Sequence, residues 1–221
     1  MRREGFSFQV GDHGSTAVVY AVEGVPAATL VLGHGAGAPQ SHPWMIAMAE
    51  AIATRGIEVV TFNFLYTEAK RRVPDRPPVL EATWRSAIEA VRALSDGKRL
   101  FIGGKSMGGR IATQVAAQEG VDVAGLVLLG YPLHPPGKPQ QLRTAHLSRV
   151  RAPMLFVQGS RDPFGGPEEL APHLVGLAPE TRLFAVDGGD HSLVRPKSSG
   201  ESPAATKARV AEEIARFIAE R

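Results

Sequence analysis

The chain contains no cysteine. Disulfides, a thiol nucleophile and cysteine-based metal sites are therefore excluded. No apolar run is long enough to cross a bilayer, so no membrane partner is expected. The basic start, Met1-Arg2-Arg3-Glu4-Gly5, has no apolar segment behind it. It does not read as a signal peptide, and a cytoplasmic location is the default expectation. An excess of charge is missing too: 25 Lys and Arg stand against 22 Asp and Glu, spread along the chain. The densest basic group, Lys70-Arg71-Arg72 with Arg76, has no aromatic stacking partners, so nucleic acid is not an expected partner.

What is present is 221 residues, 43% of them apolar. That suffices to bury the core of one α/β domain spanning 1–221. Phe6 to Val10 and Thr16 to Val22 read as an opening hairpin around Gly11-Asp12-His13-Gly14, with His13 a turn residue. Short buried strands follow at Thr29–Leu32, Ile57–Phe62, Leu100–Ile102, Val123–Leu129, Met154–Gln158 and Leu183–Val186. Between them lie helical patterns. One opens at Pro43 and stops at Gly56. The next carries Leu80, Trp84, Ile88 and Val91 on one face and is closed by Asp96-Gly97. Others begin after Ser106, at Pro167 and at Ser202-Pro203. Asn63 to Pro78 reads as a loop. Strands alternating with helices predict a mostly parallel, twisted sheet of about seven to eight strands, covered by helices on both faces.

The most informative stretch is Leu100-Phe101-Ile102-Gly103-Gly104-Lys105-Ser106-Met107-Gly108-Gly109-Arg110. An apolar strand runs directly into Gly104-x-Ser106-x-Gly108 and then into a helical face of Ile111, Ala112, Val115 and Ala116. A serine in so tight a strand-to-helix turn has a strained backbone and an outward Oγ, and glycines beside it avoid collisions with neighbouring elements. The pentapeptide alone is a weak signal. Its context strengthens it, because polar groups also follow other strands: His34-Gly35-Ala36, Asp162 and His191. Functional groups in parallel sheets gather beyond the carboxyl ends of the strands.

Serine needs a base within hydrogen-bond reach, and a histidine base needs a carboxylate to fix its tautomer. We read Ser106 as nucleophile, His191 as base and Asp162 as the orienting acid. Asp187 and Asp190 are the competing acids, but Asp190 adjoins His191, and adjacent side chains rarely face each other. The oxyanion donors are read as the amides of Met107 and Ala36, with Gly35 or Gly37 in place of Ala36 as alternatives. His34 reads as a brace for the glycine-rich loop; together with Lys105 it is also a candidate substrate contact. His42, His134, His146 and His173 are expected at the surface. Gly33 to Gly37 does not fit a phosphate loop, because no G-x-x-x-x-G-K-[ST] pattern is present there.

On these residues the chain resembles the α/β-hydrolase superfamily over nearly its whole length. His34-Gly35-Ala36-Gly37-Ala38, Phe62-Asn63-Phe64, Gly104 to Arg110 and Gly189-Asp190-His191 are similar to the small, lid-less dienelactone-hydrolase-like group. Dienelactone hydrolases proper use a cysteine nucleophile, which this chain lacks, so their substrate does not carry over. The resemblance implies an α/β-hydrolase fold and a serine hydrolase acting on small-molecule esters, with no metal or cofactor. Thioester, lactone or acyl-transfer chemistry would use the same three residues. Some members of the group occur in chromatin complexes, where the fold serves as a non-catalytic scaffold. Residues Tyr131 to Ala152 are too few for a large cap domain, which implies an open site and short acyl groups. Lys105, Arg110, Arg71, Arg72 and Arg76 are candidates for attracting an anionic substrate. The sequence does not distinguish monomer from homodimer.

Overall fold

The computed structural model describes residues 1–221 apart from Asp96 and Pro179. The chain opens with β1 (Arg2–Val10) and β2 (His13–Ala21), a hairpin closed by Gly11 and Asp12 alone. His13 therefore pairs with Val10 as a strand residue, and the expected four-residue turn is too long. Then come β3 (Ala28–Gly33), α1 (Pro43–Ala53), β4 (Ile57–Phe62), a helical turn α2 (Leu65–Glu68) and α3 (Pro77–Leu94). After them run β5 (Leu100–Lys105), α4 (Met107–Ala116), β6 (Gly125–Leu129), β7 (Met154–Gly159), a single turn α5 (Pro167–Leu170), β8 (Arg182–Val186) and α6 (Pro203–Ala219). The residues expected as a loop from Asn63 to Pro78 thus include α2, and α3 starts earlier than expected, on Pro77. Asp96, read as part of the stop after α3, lies outside the described residues.

All eight strands join one sheet in the order β1-β2-β4-β3-β5-β6-β7-β8. The first three are linked antiparallel and every pairing from β4 onward is parallel. Side chains of a strand alternate between faces, so a sheet covered on both sides needs nearly continuous apolar strands. In β6, Leu126 and Leu128 join α3 and α4 in one core, while Val127 and Leu129 join α1 and α6 in the other. In β7, Met154 and Phe156 face the first core, and Leu155 and Val157 the second. The segment between β6 and β7 contains one 3₁₀ turn, Leu147–Arg149, in place of a cap domain.

Strand order reverses at β3, which lies between β4 and β5, and the crevice above that point is where a site is built in such sheets. There the backbone is packed with unusual closeness. Gly33 and Gly104 are register partners, and a Cβ on Gly104 would lie 2.2 Å from the Gly33 carbonyl oxygen. A Cβ on Gly108, in the first turn of α4, would lie 2.1 Å from the same oxygen. Trp84 of α3 fills the space below, its indole N–H donating to the Gly108 carbonyl at 3.1 Å. Gly108→Ala is predicted to cost about 3 kcal/mol or more, since backbone rather than a flexible side chain must yield. Gly14→Ala, whose added methyl would meet open space, is expected to change stability by no more than about 0.5 kcal/mol. Urea melts of both variants check the contrast.

Candidate active site

Ser106 stands between β5 and α4 at φ 51° and ψ −115°, a region a non-glycine residue rarely adopts. The close packing against β3 holds it there. Its Oγ lies 2.8 Å from His191 Nε2, and His191 Nδ1 lies 2.8 Å from Asp162 Oδ2. The three side chains, which follow β5, β7 and β8, form one hydrogen-bonded chain beyond the carboxyl edge of the sheet.

Each member is held from outside. The Asp162 side chain is fully buried and accepts two further bonds, from the Phe164 amide to Oδ1 and from Gln158 Nε2 to Oδ2. With those bonds made, Oδ2 faces the His191 Nδ1–H, which leaves Nε2 as the acceptor for the serine proton. The Phe164 ring lies 4.2 Å from the imidazole, centroid to centroid. The loop carrying His191 is tied down by the Trp44 indole, which donates to the Ser192 carbonyl at 2.8 Å. Asp190 accepts from the amides of Ser192 and Val194 and shapes that same loop. Asp187 is exposed. Neither competing carboxylate contacts the imidazole.

Two amides flank Ser106. Met107 opens α4, so its N–H has no acceptor within the helix. Ala36 belongs to the loop after β3, and its amide donates to no backbone acceptor among the described residues. Gly35 and Ala36 both border the cleft above Ser106. Gly37 does not; it turns the chain away at φ 75°.

His34 requires a correction. It was a candidate substrate contact, but it is fully buried and both ring nitrogens are occupied. The Phe64 amide donates to Nε2, so the proton sits on Nδ1 and is donated to the Gly35 carbonyl at 2.8 Å. The ring joins the loop after β3 to the end of β4 and serves as a brace. Burial lowers its pKa to about 4, so the imidazole is neutral. His134 and His146, expected at the surface, are buried as well. His146 meets Thr113 Oγ1 at 2.7 Å, and burial, with Arg110 and Arg149 nearby, lowers its pKa to about 4. Lys105 borders the cleft but is nearly buried, its ammonium 5.9 Å from the centre of the Trp44 ring. Burial lowers its pKa to about 8 against the opposing pull of Asp162 and Asp190.

Gln158 is the site residue that sequence reasoning missed. It is fully buried in β7. Its Oε1 accepts from the Tyr131 amide, and Nε2 lies within bonding distance of Asp162 Oδ2 and the Gly165 carbonyl. The available signal was a lone polar residue ending an otherwise apolar strand.

An open, mostly parallel sheet with a serine in the sharp turn after β5 defines the α/β-hydrolase fold. The chain belongs to the alpha/beta hydrolase domain family, whose model matches residues 26–219. It also resembles solved structures along its full length. A dienelactone hydrolase from Anabaena variabilis is 20% identical, with 99% of this chain and 97% of that one covered and a TM-score of 0.77. A serine hydrolase without lid from Xanthomonas campestris is 19% identical over 97% of this chain and 94% of that one, TM-score 0.76. An esterase domain from a Rhodothermus marinus protein is 17% identical over 100% and 99%, TM-score 0.76. At these identities the likeness is one of fold.

His34 and His146 contribute to the acid stability. Each binds a proton near pH 6.5 when unfolded and only near pH 4 when folded. Between those values the unfolded chain holds more protons, so stability falls as pH drops through that window. We expect the urea midpoint to decrease from pH 7 to pH 4.5, and the slope of the decrease to shrink in His146→Gln.

Proposed function

We propose that the protein is a serine esterase of small, short-chain carboxylic esters. The observation that carries this reading is the unbroken hydrogen-bond chain from Asp162 through His191 to Ser106. In this reading Ser106 Oγ attacks the ester carbonyl as His191 Nε2 takes its proton. The imidazolium so formed is stabilised by Asp162 behind Nδ1. Negative charge developing on the carbonyl oxygen meets the amides of Met107 and Ala36, aided by the N-terminus of α4. His191 then passes its proton to the leaving alcohol, and the acyl group stays on Ser106. A water molecule, deprotonated by His191, attacks the acyl-enzyme and releases the acid and the free serine.

The cleft above Ser106 measures about 560 Å³ and is walled by Trp44, Met45, Leu80, Pro132 and Phe164. It opens directly to solvent with no domain above it, which suits compact acyl groups.

A fluorophosphonate probe should label the folded protein and fail to label Ser106→Ala. An unlabelled, folded wild type would favour the scaffold reading instead. Asp162→Asn should lower kcat by about 10³-fold or more while leaving KM nearly unchanged, because it deprives the base of its tautomer. Across 4-nitrophenyl esters, kcat/KM should peak between acetate and butyrate. A maximum at dodecanoate would contradict the open-cleft argument.

A further inference from the structure

Two arginines border the cleft beside Ser106, and neither forms an ion pair with a carboxylate among the described residues: Arg110 and Arg143. They arrive from different elements. Arg110 lies one helical turn beyond the serine, its amide donating to the Ser106 carbonyl at 3.0 Å. Arg143 comes from the segment between β6 and β7, and its backbone is fastened at both ends. Its amide donates to the Leu133 carbonyl at 2.8 Å, and its carbonyl accepts from the buried Tyr131 hydroxyl at 2.7 Å.

A guanidinium has five N–H donors. Among the described residues the Arg110 side chain engages only Gln114 Oε1, at 3.3 Å, and the Arg143 side chain only the Pro132 carbonyl, at 3.5 Å. Both residues are half-buried, so water does not fully solvate them. Burial and the neighbouring Arg143 charge push the Arg110 guanidinium below the usual arginine range, despite the milder opposing influence of Tyr131 and Glu81. Of the carboxylates nearby, Glu81 accepts from Gln118, and Asp75, on the cleft wall, pairs with Arg71 through Oδ1 and keeps a buried Oδ2 that meets neither Arg110 nor Arg143. His146, the other titratable group beside Arg110, is held neutral by burial. Two like charges placed together at the wall of a reaction cleft repel each other until an anion sits between them.

We propose that Arg110 and Arg143 form an anion-recognition site, and that the substrate is an ester whose acyl group carries a second, ionised acid group. The shared chemistry is a planar or tetrahedral oxyanion, a carboxylate or a phosphoryl group, gripped by two guanidinium forks. Arg71, Arg72 and Arg76 take no part: Arg71 is paired with Asp75, and Arg72 and Arg76 are exposed away from the cleft wall. The proposal rests on the esterase reading and specifies its substrate class.

The test compares 4-nitrophenyl hemiglutarate with 4-nitrophenyl pentanoate, equal in chain length and different in terminal charge. Wild type should show a kcat/KM for the charged ester at least about tenfold above that for the neutral one, and the ratio should fall by about tenfold in Arg143→Met and in Arg110→Met. Arg143 lies on a surface segment, so its variant keeps the test decisive if Arg110→Met fails to fold. Raising ionic strength should erode the same ratio. Free glutarate and inorganic phosphate, added as competitors, tell the two sources apart: the stronger inhibitor names the anionic group. A ratio near one in wild type, a ratio unaffected by Arg143→Met, or no inhibition by either anion would overturn the proposal. Failure to hydrolyse either ester would instead refute the esterase reading.

Discussion

The contact on which the molecule depends is one of backbone against backbone. The Gly33 carbonyl at the end of β3 sits where side chains of Gly104 and Gly108 would otherwise be. Because those side chains are missing, β5 can run beside β3 to its last residue and turn at once into α4. The turn forces Ser106 into its positive φ, a conformation that costs of order 1–3 kcal/mol and persists only when surrounding packing over-determines it. Here the packing comes from both sides. Register pairing between β3 and β5 fixes the strand, and Trp84, bonded to the Gly108 carbonyl, fixes the first turn of the helix. The serine is thereby presented on rigid elements, whereas His191 and Asp162 arrive on loops that need fastening.

That difference explains why the polar residues of the site fall into two groups. Ser106 is held through its backbone, its amide donating to the Leu129 carbonyl and its carbonyl accepting from the Arg110 amide, both at 3.0 Å. Asp162 has three partners, from His191, Gln158 and Phe164, and the loop of His191 is closed by Asp190 and clamped by Trp44. Gln158 links the two regimes. As a strand residue its position is fixed by the β7 ladder, and its amide transfers that rigidity to Asp162 and to the backbone of Tyr131 and Gly165.

The alternation of short apolar strands and amphipathic helices made the architecture legible, because burial on both faces of a parallel sheet leaves few polar residues inside the strands. The hydrogen-bonded chain was legible for a related reason: its members each follow a strand that the apolar pattern marks. What stayed hidden depends on tertiary contact. His134 and His146 sit in polar stretches, and nothing local shows that Thr113 of α4 will enclose one of them. Gln158 carries its meaning only once the loops after β6 and β7 are folded against it. The helical turn Leu65–Glu68 was missed because a single turn has too little periodicity to stand out. Arg143 was overlooked because its segment has neither strand nor helix to orient it. Its direction is fixed by distant bonds to Leu133 and Tyr131.

His34 and His191 show how surroundings place one side-chain type in opposite settings. Both follow strands of the same sheet edge. His34 is sealed among Phe64 and Tyr66, with a backbone donor at one nitrogen and a backbone acceptor at the other. Protonating it would bury a charge and break the bond from Phe64, so it stays neutral and mechanical. His191 has a carboxylate behind one nitrogen, a hydroxyl before the other, and a side chain that is 21% exposed. In the loop after β3 a histidine holds shape; in the loop after β8 the same ring lies partly exposed between a carboxylate and a hydroxyl. The difference between the two settings follows from what each nitrogen faces and requires no difference in the residue itself.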